Sequence, residues 1–135
     1  MSLMPKISQY RAIKPKNKYH AKKIQADGIT FDSRVEYMYY IRFIKNRYIS
    51  FDDHKSFEIT PRFKLNGKTH RKRVYSPDFI EYDTHGQMIK VVDVKGGKVT
   101  ADASLRINEF EYLYQVPVVL ARYNYRTKQF QEKVK

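Results

Sequence analysis

Asp78, Asp93 and Lys95 are the side chains whose types and spacing could do chemistry. They sit in Ser76-Pro77-Asp78-Phe79-Ile80 and Ile89-Lys90-Val91-Val92-Asp93-Val94-Lys95, two segments that read as strands in which charged residues interrupt apolar faces. A strand sends alternate side chains to opposite faces, so Asp93 and Lys95 are expected on the face of Ile89 and Val91. Burying an acid and an amine there costs several kcal/mol unless something offsets it. A divalent cation between Asp78 and Asp93, with Lys95 turned toward a phosphate, would offset it. The chemistry implied is metal-assisted attack on a phosphodiester. Magnesium takes oxygen ligands and keeps several waters, and a compact ammonium stabilises charge developing at phosphorus.

The elements that must position these groups can be traced along the chain. Ile24 to Phe31 reads as a small hairpin turning at Asp27-Gly28, a favoured two-residue turn. Asp32-Ser33 opens a helix expected over about 34–47, with Tyr37, Tyr40, Ile41, Ile44 and Tyr48 as its buried stripe. Ser33-x-x-Glu36 fits a capping box, which by itself accounts for Glu36; equally, a carboxylate one turn into the helix could lean toward the strand ends. A polar loop is expected over 50–56. Three strands follow, at about 57–65, 71–82 and 88–95, with turns at Asn66-Gly67 and near 84–86. Pro77 cannot donate to a ladder, so irregular pairing is expected beside Asp78. Thr100 and Asp102 start a second helix to about Tyr114, with Ala103, Ile107, Phe110 and Tyr114 inward. Val118-Val119-Leu120 reads as a buried strand parallel to the third. The order is αβββαβ, an α/β domain whose mixed sheet is flanked by two helices.

Size and charge narrow the class further. With 135 residues the chain supports one domain with a real core. Residues 1–23 read as a basic flexible arm and 24–135 as the domain. Lys and Arg number 27 against 14 Asp and Glu, a net +13 that points to a polyanionic partner, nucleic acid first. No apolar run reaches the roughly 18 residues needed to span a membrane, and the basic N-terminal stretch lacks the apolar core of a secretory signal. A cytoplasmic protein is expected. The absence of Cys excludes disulfides and Cys-ligated metals.

A second acid-x-Lys triplet, Asp53-His54-Lys55, lies where no strand pattern is visible and is expected to be far from the acids. His20, His54, His70 and His85 share no metal-ligand spacing. Phosphate contacts are expected from Lys14, Lys16, Lys18, Lys22 and Lys23 in the arm. Lys68, Arg71, Lys72 and Arg73 past the Asn66-Gly67 turn would add others.

Jointly, Glu36 on a first helix, Pro77-Asp78 on a middle strand and Asp93-x-Lys95 on the next resemble the PD-(D/E)XK, or restriction-endonuclease-like, nuclease superfamily. The strings Lys18-Tyr19-His20, Asp27-Gly28-Ile29-Thr30-Phe31-Asp32-Ser33-x-x-Glu36, Ser76-Pro77-Asp78-Phe79 and Val92-Asp93-Val94-Lys95-Gly96 look like a phage-encoded family of unknown function. That family is related to Holliday-junction resolvases and to endonuclease subunits of heteromeric transposases. The resemblance implies a magnesium-dependent DNA endonuclease, with manganese able to substitute, and raises branched DNA as a substrate. It implies Asp78, Asp93 and the Val94 carbonyl as metal ligands and Lys95 as the group that orients water or stabilises charge. Glu36 would support a second metal or a water, and Arg106 stands where relatives often carry a Lys or Gln. Two readings stay open beside it: a non-catalytic nucleic-acid-binding module, and an endonuclease subunit active only with a transposase-like partner. Cuts on both strands would favour a homodimer.

Overall fold

The structure is a computed structural model that describes residues 22–135. The expected arm contacts at Lys14, Lys16 and Lys18 lie outside the described residues. The chain forms two compact units, divided in sequence between Arg34 and Val35.

In the first unit, β1 (Ile24–Ala26) pairs antiparallel with β2 (Ile29–Phe31). Asp27 and Gly28 both take positive φ, at 53° and 77°, as the expected turn requires. Lys23 reaches Asp32 at 2.8 Å on the surface of this hairpin.

The second unit is a mixed α/β structure built on a five-stranded sheet. Its remaining strands are β3 (Ser50–Asp53), β4 (Phe57–Thr60), β5 (Phe63–Leu65), β6 (Lys68–His70), β7 (Arg73–Tyr75), β8 (Phe79–Tyr82), β9 (Met88–Lys95), β10 (Val118–Asn124) and β11 (Gln129–Val134). The sheet order is β11-β10-β9-β8-β3. Only β9 and β10 run parallel, joined through helix α2 (Ala101–Tyr114). The other three pairings are antiparallel. β4 with β7 and β5 with β6 form two separate ribbons.

Each face of the sheet carries its own core. On one, Ile80, Val91 and Val118 pack with Ile107 and Phe110 of α2 and with Ile59 and Tyr75 of the β4–β7 ribbon. On the other, the Phe79 ring lies 5.6 Å from Tyr39 and 6.4 Å from Tyr40. Strand alternation assigns Phe79 and Ile80, and Val91 and Val92, to opposite faces, and all four are fully buried. Truncating a ring such as Phe110 to Ala would cost about 3–5 kcal/mol. Helix α2 starts where Thr100 Oγ1 accepts the Ala103 N–H at 3.1 Å. It ends where Gln115 adopts a left-handed conformation ahead of Pro117.

Several expected elements are corrected. The first helix is α1 (Arg34–Tyr39) followed by a π-helical turn, Tyr40–Ile44, closed by Lys45 N–H to Tyr40 O at 2.8 Å. The wider turn shifts the inward stripe: Tyr39, Tyr40 and Ile44 are buried, whereas Ile41 is exposed and Tyr48, beyond the helix, is 97% exposed. The strand expected over 57–65 breaks at Pro61 into β4 and β5, and the one over 71–82 breaks into β7 and β8 with Pro77 between them, while β6 lies ahead of it. Residues 50–53 form the edge strand β3 rather than a loop. Ile89 is exposed, because the buried stretch of β9 begins only at Val91.

Candidate functional site

Four acids are buried in the second unit: Glu81 of β8, which lies 3.7 Å from Arg47, and three from separate elements, Glu36 of α1, Asp78 between β7 and β8, and Asp93 of β9. The break at Pro77 lets Asp78 rejoin the sheet through its backbone, its N–H donating to Val92 O at 3.0 Å. Its carboxylate turns toward β9 and accepts the Val94 N–H at 2.7 Å. Asp93 accepts the Tyr75 hydroxyl at 2.6 Å and pairs with Lys95 Nζ at 3.2 Å, so the expected common face of Asp93 and Lys95 holds. Val94 therefore contributes its N–H to Asp78.

His54 joins this centre, against expectation. Its Nε2 lies 3.0 Å from Glu36 Oε1 and 3.6 Å from Asp78 Oδ1, while Nδ1 lies 3.0 Å from Asp53 Oδ2. The His54 N–H also donates to Asp78 O at 3.1 Å. Asp53 is thus linked to the acids through His54 and is not remote. Both acid-x-Lys triplets converge, one through Asp93 and Lys95, the other through Asp53 and His54. The signal was hidden because β3, Ser50-Phe51-Asp52-Asp53, is an edge strand with one large apolar residue and no alternation to detect. His54 leaves that strand with φ of 52°, a left-handed conformation that costs a non-glycine residue about 1–2 kcal/mol. Its ring bonds offset that strain.

The electrostatics of the centre are unbalanced. Burial raises the Asp78 pKa well above the ordinary carboxylate value, and the charges of Glu36 and Asp93 raise it further; the Val94 N–H and His54 oppose them without cancelling. Burial alone would lower the His54 pKa, yet the bonds to Asp53 and Glu36 and the charge of Asp78 hold it above its usual value. Burial, with Asp93 beside it, raises Tyr75 and keeps it a hydrogen-bond donor. Glu36 and Asp93 both act on the desolvated Asp78 carboxylate, countered by one lysine and one histidine, and carboxylate oxygens are the donor type a hard divalent cation takes. Asp78 and Asp93 could supply oxygen ligands, and Glu36 a third carboxylate.

A second feature is basic. Arg62, Arg71, Lys72, Arg73 and Arg106 line an open depression of about 750 Å³ with Val74. Arg106 is held there by Asp102 at 2.9 Å and by Val74 O at 2.6 Å, and Arg73 pairs with Glu109 at 3.3 Å. Arg71 and Lys72 are exposed. The sequence reading grouped Arg71, Lys72 and Arg73, treated Arg106 apart from them on the second helix, and did not include Arg62. Lys68 is exposed on the neighbouring hairpin; Lys22 and Lys23 are exposed in the first unit.

Fold and centre together define a mixed α/β protein with a cluster of buried acids at the junction of α1, β8 and β9. Its family is equally direct: residues 16–133 match the family described as "Protein of unknown function (DUF1064)", and the chain belongs to it. No curated protein and no solved structure gives a significant match. No helix among the described residues is long and apolar enough to cross a membrane.

Proposed function

We propose that this chain is a magnesium-dependent DNA endonuclease of the PD-(D/E)XK superfamily, built on a restriction-endonuclease-like fold. The observation that carries the reading is the burial of Glu36, Asp78 and Asp93 from three elements, with Glu36 and Asp93 both acting on the Asp78 charge and Lys95 beside Asp93. Asp78, Asp93 and the Val94 carbonyl would hold the ion, and manganese should substitute. When bound, the ion would supply Lewis acidity toward a phosphodiester oxygen. The remaining work falls to the chain itself. The Val94 N–H and the Tyr75 hydroxyl fix the rotamers of Asp78 and Asp93. Lys95 presents a positive charge to the phosphate, and His54 holds Glu36 against Asp78.

The net charge of +13 supports DNA as the partner, because cations on the protein release counterions from the phosphate backbone. With six or so phosphate contacts, affinity should fall roughly 10³-fold between 50 and 200 mM salt. Branched and linear DNA incubated with magnesium, manganese or EDTA tests the proposal directly. Metal-dependent cleavage that Asp93→Asn abolishes is the expected result.

One observation favours a rival. Asp93 already has two partners, Tyr75 and Lys95, as a structural acid in a non-catalytic DNA-binding module would. On that reading Asp93→Asn would weaken DNA binding and lower the unfolding temperature together, and magnesium would have no effect on either.

A further inference from the structure

The β5–β6 hairpin is unlike every other element of the second unit. All six strand residues but His70 are exposed, and among the described residues the ribbon's two strands pair only with each other. Asn66 and Gly67 both take positive φ, at 54° and 77°, so the turn is the tight type whose twist matches the flanking strands. Directly opposed residues of an antiparallel pair share a face. Phe63 with His70 and Leu65 with Lys68 therefore occupy one face, and Lys64 with Thr69 the other. The Phe63 and His70 rings stack at 4.5 Å with planes 5° apart, stiffening the base of the ribbon. Leu65, nearest the turn, is 64% exposed.

An exposed leucine at the tip of a ribbon flanked by lysines has no role in the core. Among the described residues, Lys64 and Lys68 have no carboxylate partner. The chain leaving β6 runs directly into Arg71, Lys72 and Arg73 of the basic depression, so the ribbon stands at its edge. Three residues per strand at a rise near 3.4 Å make a projection of about 10 Å. Two strands are about 4.8 Å apart, and side chains roughly double that width. The major groove of B-form DNA, about 12 Å wide and 8.5 Å deep, admits such a ribbon; the minor groove, about 6 Å wide, does not.

We infer that the β5–β6 ribbon inserts into the major groove of duplex DNA, with Leu65 against base edges and the basic depression holding the adjacent phosphates. This deepens the nuclease proposal, resting on its choice of DNA as partner, by making a B-form duplex segment part of the substrate. A-form RNA is excluded by its deep, narrow major groove.

Binding to a fluorescent DNA duplex, measured in EDTA with the full chain, tests the inference apart from catalysis. The paired change Lys64→Gln with Lys68→Gln should weaken binding at least tenfold and reduce the salt slope by about 2. Leu65→Ser should weaken it several-fold at an unchanged slope. Both variants should keep the unfolding temperature, because the residues changed are exposed. The wild type should protect guanine N7, a major-groove atom, from methylation, and the paired variant should lose that protection. A duplex RNA of the same sequence should compete poorly. Absent duplex binding, protection confined to adenine N3 in the minor groove, or protection unchanged in the variant would each overturn the inference. Protection that depends on the ribbon in a protein that cuts no DNA would sustain it while removing the nuclease reading.

Discussion

The cluster around Glu132 and the cluster around Asp78 are built from the same kinds of residue on the same sheet, yet their charges behave in opposite ways. Glu132 of β11 accepts the Tyr39 hydroxyl at 2.6 Å and pairs with Lys90 of β9 at 2.7 Å. Burial would raise its pKa, but Lys90 and Tyr39 outweigh burial and hold it below the ordinary value. Asp78 is more deeply buried and has two acids for neighbours, and its pKa moves up. One carboxylate is stabilised in place; the other is kept at a cost. A fold under selection for stability alone would relieve such a cost by neutralising a side chain, so the difference is what the proposed cation site at the Asp78 cluster would account for.

The contrast breaks most sharply in cleavage. Asp93→Asn should slow it about 10³-fold, the equivalent of about 4 kcal/mol of transition-state stabilisation, while binding in EDTA stays equal or tightens. Lys95→Ala should also cripple cleavage. Glu132→Gln should leave the rate per folded molecule unchanged, as measured by single-turnover kinetics.

Magnesium should sharpen the contrast next. At a hundredfold excess over its dissociation constant, an ion bound only by the folded state adds about 2.7 kcal/mol, read as a rise in unfolding temperature. That rise should vanish in Asp78→Asn and persist in Glu132→Gln. A rise of equal size in both would place the ion elsewhere.

Smaller effects of opposite sign are expected without metal. Glu132→Ala leaves Lys90 and Tyr39 without their acceptor and should destabilise by about 1–3 kcal/mol. Asp78→Asn keeps an acceptor for the Val94 N–H and removes the disfavoured charge, so it should raise the unfolding temperature. Thermal unfolding in EDTA measures both.

The smallest effect is in pH. Asp78 has a folded pKa above its ordinary 3.8, so the folded state holds the extra proton and stability falls as pH rises through the elevated value. His54, raised above 6.5, contributes stability that is present below 6.5 and likewise lost as pH rises through its folded pKa. Glu132, lowered from 4.5, contributes stability present above 4.5 and lost as pH falls through its folded pKa. In EDTA, the advantage of Asp78→Asn over wild type should therefore grow from pH 4 upward and shrink on acidification, as unfolding temperatures across that range would report.

Local rules were enough for much of the fold. The alternation of β9 and the glycine turns at Gly28 and Gly67 were legible because each depends on residues within a few positions. The same is true of the Thr100 cap and the inward Ile107 and Phe110 of α2. The pairing of Asp93 with Lys95 follows from strand parity alone. What was misread depends on distant partners. Tyr37 and Ile41 have the right spacing for a buried stripe, but a π-helical turn stabilised by packing of Tyr39 and Tyr40 on Phe79 changes the register.

By itself, then, the sequence determined a basic α/β chain with acids on particular strands and a lysine two residues beyond one of them. Whether those acids face one another was decided only in three dimensions, by the break at Pro77 and the pairing of β8 with β9. The tertiary structure also brought His54 in, through an edge strand whose one large apolar residue gives no periodicity to read. The physical reason is one of range: backbone preferences and side-chain parity act over a few residues, whereas burial and the mutual repulsion of Glu36, Asp78 and Asp93 exist only once segments far apart in the chain have packed together.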